Sequence, residues 1–199
     1  MQLSHDDEAL LWRKFKNDDK DAFAMLYQKH IVPLIAYGSR LCPDQDQLKD
    51  QIQELFVDLW NSRKSLADTD SVRFYLLKAL RYKLVRAEKS RQLVTGIRQL
   101  EENNESMLSE DPIEASIVEK EIHESFQALL RTALGHLTLR QQEVIQLHFY
   151  QGLTHQQIAR LMDVNYQSVS NLLYNALCRL KEQMKVPVLA IVFLCLQHT

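Results

Sequence analysis

Residues Gly152–Leu177 read GLTHQQIARLMDVNYQSVSNLLYNAL. Thr154 and Gln157 stand three apart with Leu153 and Ile158 around them, the pattern of a capping box with a hydrophobic staple. Gly152 suits the left-handed residue that closes the helix before it. Asn165 is a strong cap for a second helix, with Val164 and Val169 as its staple. Caps so closely spaced predict two short helices joined by a tight turn. Ala159 is small enough for the helices to approach, and Asp163 tolerates the left-handed turn position better than most residues. From Tyr166 onward, Val169, Leu172, Leu173, Ala176, Leu177, Leu180 and Met184 make one apolar stripe at helical spacing. Tyr166, Gln167, Ser168, Ser170, Asn171 and Tyr174 are left facing outward near the helix start. Those residue types, at that end of a helix-turn-helix, reach base edges and phosphates in a major groove. The competing reading is a small helical bundle with a polar face.

Working outward, Thr138 and Gln141 repeat the capping-box pattern ahead of another helix. The chain has 199 residues with four glycines and four prolines, too few for arrays of β-hairpins. An all-α fold is expected. Cys42, Cys178 and Cys195 stand far apart and form no CxxC, so neither a zinc site nor a disulfide framework is expected. No basic-then-apolar start marks a secretory leader. The apolar run Val186–Leu196 would span only about 16 Å as a helix against about 30 Å of hydrocarbon. It reads as a terminal segment packed on a core or a tail offered to a partner protein or a membrane surface, not as a membrane span.

The net charge of −2 conceals segregation. Arg73, Lys78, Arg81, Lys83, Arg86, Lys89 and Arg91 face only Glu88 in their block, whereas the charged residues from Glu101 to Glu124 are all acidic but for Lys120. Two opposite local fields result. The acidic stretch EENNESMLSEDPIEAS has little apolar periodicity and reads as a linker. The expected organisation is a helical module over 1–93, an acidic linker over 94–117, a helix-turn-helix module over 118–185 and an apolar tail over 186–199.

In the first module, DQLKDQIQELFVDLWNSR carries Leu48, Ile52, Leu55, Phe56 and Leu59 as an apolar stripe. Asp50, Glu54, Val57 and Asn61 lie opposite, with Gln53 and Trp60 flanking. An aromatic and a valine among carboxylates outside the stripe suggest a protein-binding surface; the plain alternative is that Trp60 closes the core. In SVRFYLLKALRYKLVRAEKSR, Leu77, Leu80 and Leu84 turn inward and Lys78, Tyr82, Arg86 and Lys89 share an outer face. Cations for phosphates and a ring for an unstacked base are what nucleic acid requires; a solvated basic face is the plain alternative. Upstream, Phe23, Leu26, Tyr27, Ile31, Leu34, Ile35 and Leu41 are expected in the core, with Pro33 kinking or breaking their helix.

These pieces in this order resemble the extracytoplasmic-function group of sigma factors, the smallest sigma-70-family members, in a version common in Bacteroidetes. DAFAMLYQKH, DQIQELFVDLW and FYLLKALRYKLVR are similar to region 2, and LTLRQQEVIQLHFYQGLTHQQIARLMDVNYQSVSNLLYNALCRLKE to region 4. The resemblance implies a cytoplasmic promoter-specificity subunit of RNA polymerase. Asp50, Gln53, Glu54, Val57 and Trp60 would dock on the β′ clamp helices. Arg73, Lys78, Arg81, Tyr82, Arg86 and Lys89 would read and melt the −10 element. Tyr166, Gln167, Ser168, Ser170, Asn171, Tyr174 and Arg179 would read the −35 element, the same module touching the β flap. An anti-sigma factor, often membrane-bound in such families, is an implied partner; no cofactor, metal, catalytic residue or small-molecule substrate is implied. The pattern departs from the family at Tyr82, where asparagine is frequent, and at Ser170, Asn175 and Cys178, where lysine or arginine is common. A free-standing helix-turn-helix regulator and a sigma-like adaptor with weak DNA binding are the alternatives. With scattered histidines, no glycine-rich phosphate loop and no HExxH, an enzyme is not expected.

Overall fold

The computed structural model describes residues 5–95 and 129–184, all of them in helices, turns and short connections. Nearly all of the expected linker and the whole apolar tail lie outside them. The chain divides into two compact units, Met1–Leu100 and Glu101–Thr199.

In the first unit four helices run in order: α1 (His5–Lys16), α2 (Lys20–Gly38), α3 (Gln45–Ser62) and α4 (Val72–Thr95), with a single 3-10 turn at Arg63–Ser65. Aspartates start two of them. Asp19 accepts from the backbone N–H groups of Asp21 and Ala22 at 2.9 Å, and Asp44 from those of Asp46 and Gln47 at 3.0 and 3.1 Å. Each satisfies donors that a helix start leaves orphaned. The Ser71 hydroxyl does the same for Phe74 at the head of α4. The core joins Trp12 and Phe15 of α1, Leu26 and Leu34 of α2, the whole predicted stripe of α3, and Leu76, Leu77, Leu80 and Leu84 of α4. Trp12 also donates its indole N–H to the Ala67 carbonyl at 3.1 Å.

Helix α2 corrects the sequence reading twice. It runs unbroken through Pro33 to Gly38, because buried Leu34, Tyr37 and Gly38 anchor the turn beyond it. Its buried row is Ala22, Leu26, His30, Leu34 and Tyr37, while Tyr27 and Ile35, expected in the core, remain 41% and 38% exposed. A histidine in the middle of the true core row disguises it. His30 is tolerated there because Glu8 of α1 lies 2.8 Å from its Nε2 and satisfies it. Phe23, Ile31 and Leu41 are half-buried.

In the second unit α5 ends at residue 135. It is followed by α6 (Leu139–Ile145), a π turn (Gln146–Tyr150), α7 (His155–Met162) and α8 (Tyr166–Met184). Both capping boxes form: Thr138 with Gln141 and Thr154 with Gln157. Gly152 sits at φ +65° and Asp163 at φ +56°, the left-handed positions that the sequence marks. Val169, Leu173, Ala176, Leu180 and Met184 of α8 are buried, with Leu172 and Leu177 half-buried beside them.

Candidate nucleic-acid interface

The reading helix α8 is built from its cap outward. Asn165 accepts from the Ser168 backbone N–H at 2.7 Å, which fixes the first turn. The buried stripe then turns Tyr166, Gln167, Asn171 and Tyr174 to solvent, with Ser168 and Ser170 half-buried among them. Gln167 donates its amide to Asn171 Oδ1 at 3.1 Å, so these two amides present one joined polar surface. Tyr166 and Tyr174 are 54% and 69% exposed, leaving their rings and hydroxyls available. A hydrogen bond with Cys178 raises the pKa of the Tyr174 hydroxyl and so favours its neutral, donating form. Arg179 is exposed three turns on from Ser168, about 20° from it around the helix, and its guanidinium donates to Gln141 of α6 at 3.4 Å.

Behind this face lies a feature that the sequence reading passed over. His155, the first residue of α7, has its Nδ1 3.4 Å from Ser170 Oγ and its ring 5.6 Å from that of Tyr166. On its other side the His148 ring is 5.1 Å away. His148 is itself tied to the Leu153 carbonyl at 3.2 Å. Burial first, and the neighbouring His148 second, hold the His155 pKa below its ordinary value. Only the first-turn position of His155 was legible; the rings it meets stand 7 and 11 residues away along the chain.

In the first unit, α4 turns Lys78, Tyr82, Arg86 and Lys89 outward, Tyr82 being 67% exposed. None of the three cations has a carboxylate partner among the described residues. The rest of the basic block differs. Arg73 and Arg81 are half-buried and engaged within the protein. Lys83 is held by two carboxylates of α3, Asp58 at 2.7 Å and Glu54 at 3.5 Å. An open cleft of about 470 Å³ separates these helices, with Tyr82, Lys83 and Arg86 on one wall and Glu54 and Asp58 on the other.

On α3, Asp50, Gln53, Glu54 and Val57 form a continuous exposed face. Trp60 packs against the aromatic cluster of the core, as the plain alternative expects. Its ring packs 5.1 Å from Phe23 and 6.2 Å from Phe15, and the Arg63 guanidinium lies 4.3 Å over it. It also borders an open groove of about 780 Å³ between α2 and α3, floored by Tyr27, Ile31, Ile52 and Phe56 and rimmed by Lys20 and Lys49. The displaced apolar row of α2 is therefore one wall of a groove. An i, i+4 row beside the core row was the available signal. Among the described residues no group of three histidine, cysteine or carboxylate side chains could hold a metal, and no helix is long and apolar enough to cross a membrane.

Comparison with known proteins places these surfaces in context. The family model described as Sigma-70, region 4 matches residues 127–195. The chain is 23% identical over 173 residues to the ECF RNA polymerase sigma factor SigK of Mycobacterium sp. (strain JLS), covering 86% of this chain and 88% of the relative. It is 24% identical over 190 residues to SigK of Mycobacterium tuberculosis (strain H37Rv), covering 93% and 97%. Among solved structures, the fold is similar to that of the sigma factor RpoE in a complex with the anti-sigma factor NepR from Bartonella quintana. There the TM-score is 0.62 at 20% identity, over 84% of this chain and 99% of that one. It is also similar to CnrH, solved with the cytosolic domain of CnrY, with a TM-score of 0.59 at 17% identity over 89% and 97%.

Proposed function

We propose that this chain, which belongs to the sigma-70 family in its extracytoplasmic-function group, divides promoter recognition between its two units and takes no catalytic step itself. The observation that carries this is the outer face of α4. A helix-turn-helix alone would equally suit a free-standing regulator. Lys78, Arg86 and Lys89, without carboxylate partners among the described residues, surround an exposed Tyr82, and this supports a separate nucleic-acid surface on the first unit. In this reading the cations hold the phosphates of the −10 region and Tyr82 stacks an unpaired base. The α8 face reads the −35 element through Tyr166, Gln167, Ser168, Ser170, Asn171 and Tyr174. Arg73 and Arg81, half-buried and engaged within the protein, support the α4 face, and Arg179 ties α8 to α6.

The exposed face of α3 and the groove beside Trp60 are then the surface for core RNA polymerase. Carboxylates around an apolar and aromatic centre suit a basic helical partner. RpoE, similar in fold, was solved with the anti-sigma factor NepR; a partner of that kind, competing with polymerase, fits the same reading. Cytoplasmic residence follows from the partners.

The test is to add the purified chain to core polymerase on candidate promoters and measure specific initiation. Initiation that depends on both elements supports the reading; failure to bind core polymerase sinks it. Lys78→Ala with Arg86→Ala should slow promoter opening with core binding retained. Unchanged opening would remove α4 from the melting step. Tight, sequence-specific duplex binding by the chain alone would favour the free-standing regulator.

A further inference from the structure

Ser170 and Tyr166 belong to the reading face, yet neither is positioned by α8 alone. Ser170 Oγ donates back to the Tyr166 carbonyl at 3.3 Å, which uses its single proton. Its oxygen is then free to accept, and the nitrogen facing it is His155 Nδ1 at 3.4 Å. That assigns the proton of a neutral His155 to Nδ1. The same ring lies against Tyr166 at 5.6 Å, tilted by 53°. Behind it His148 stands at 5.1 Å, fastened to the Leu153 carbonyl. The Thr154–Gln157 capping box fixes the backbone from which His155 projects, with the Gln157 N–H on Thr154 at 3.3 Å and the Thr154 N–H on Gln157 at 2.9 Å. Three rings thus stand in a column from the π turn to the head of the reading helix.

We infer that His155, backed by His148, is a positioning residue for sequence selection: it sets the pose of the Tyr166 ring and the Ser170 hydroxyl, so base preference depends on residues outside the helix that reads. This rests on α8 being the reading helix. A tyrosine at the exposed first residue of a helix has open rotamer space, and a base-edge contact requires one pose. A ring packed on its inner side removes the others. The column stands behind the reading face and orients its side chains, so its loss should alter which sequences bind well, not how strongly all of them bind.

The test uses the full chain with core polymerase and a promoter set varied across the −35 element with the −10 element held constant. His155→Ala should change the preference at one or two base positions by about fivefold, the scale of one hydrogen bond, while the −10 preference stays as in wild type. His155→Phe, which keeps a ring against Tyr166 and loses the bond to Ser170, should restore part of the preference and guards against a folding defect in the alanine variant. His155→Ala combined with Tyr166→Ala should cost no more selectivity than Tyr166→Ala alone. His136→Ala, at an exposed histidine in the turn after α5, should behave as wild type. An unchanged ranking, a uniform fall across all sequences, or additive losses in the double variant would overturn the inference. A wild-type chain indifferent to the −35 sequence would instead overturn the reading of α8 itself.

Discussion

Glu8 and His30 put a carboxylate and an imidazole together inside a helical core, 9% and 2% exposed. The hydrogen bond from His30, then that from Lys29, hold the Glu8 carboxyl down at about 2 against an ordinary 4.5, with burial opposing. A carboxyl with a lowered folded-state pKa stabilises the fold fully above about 4.5, and that contribution is lost as pH falls toward 2. Glu8→Gln should therefore cost about 2 kcal/mol at neutral pH. The gap to wild type should close as the pH of thermal melts is lowered from 5 toward 2. A constant gap would mean that the pair acts by shape and not by charge. Gly38 is a second test at this scale. A Cβ there would stand 2.3 Å from Leu48 Cδ1, and Leu48 is fully buried, so the clash must be relieved inside the core. Gly38→Ala should destabilise the first unit by about 1–3 kcal/mol in denaturant melts. Neither residue was legible as special, because the partner of each lies on another helix.

Among the elements, what the sequence revealed was local. Thr138, Thr154, Asn165, Gly152 and Asp163 act within three or four residues of themselves, and all adopt the expected conformations. Asn165→Ala should cost about 1 kcal/mol and lower the melting temperature of the second unit by several degrees. A change below one degree would show that packing, not the cap, sets the head of α8. The π turn at Gln146–Tyr150 had no such signature. Its Gln151 N–H reaches back five residues to the Gln146 carbonyl at 3.0 Å, and no side-chain pattern in those residues marks the slip. The buried row of α2 was missed for a related reason: apolarity was counted, and His30 counted against it. The outward face of α8 was legible because its apolar stripe is strictly periodic.

At the scale of the molecule, a net charge of −2 predicts poorly what a nucleic acid would meet. Lys83 is held by Asp58 and Glu54, and Arg73 and Arg81 are engaged within the protein. Sequence could count the cations in α4 but not tell which were already taken. If the α4 face grips phosphates, alanine at Lys78, Arg86 or Lys89 should each lower the slope of log affinity against log salt by about 0.7–0.9 in the polymerase–promoter complex. Lys83→Met should leave that slope close to wild type, since its charge is neutralised before any phosphate arrives. Equal slope changes at all four positions would show that the ion pairs of Lys83 open on binding.

Trp12 and Trp60 are the only tryptophans in the chain, and both fall in the first unit. Trp12 is 1% exposed with its indole N–H bonded to a carbonyl. Trp60 borders the groove between α2 and α3 with a guanidinium over its ring. The molecule therefore carries its own optical label. Under red-edge excitation its emission arises from the first unit alone, Trp12 serving as an internal reference and Trp60 changing colour and intensity when something fills the groove. The second unit, with tyrosines only, is dark at that wavelength, so an emission change on adding a partner free of tryptophan would place a contact on the first unit.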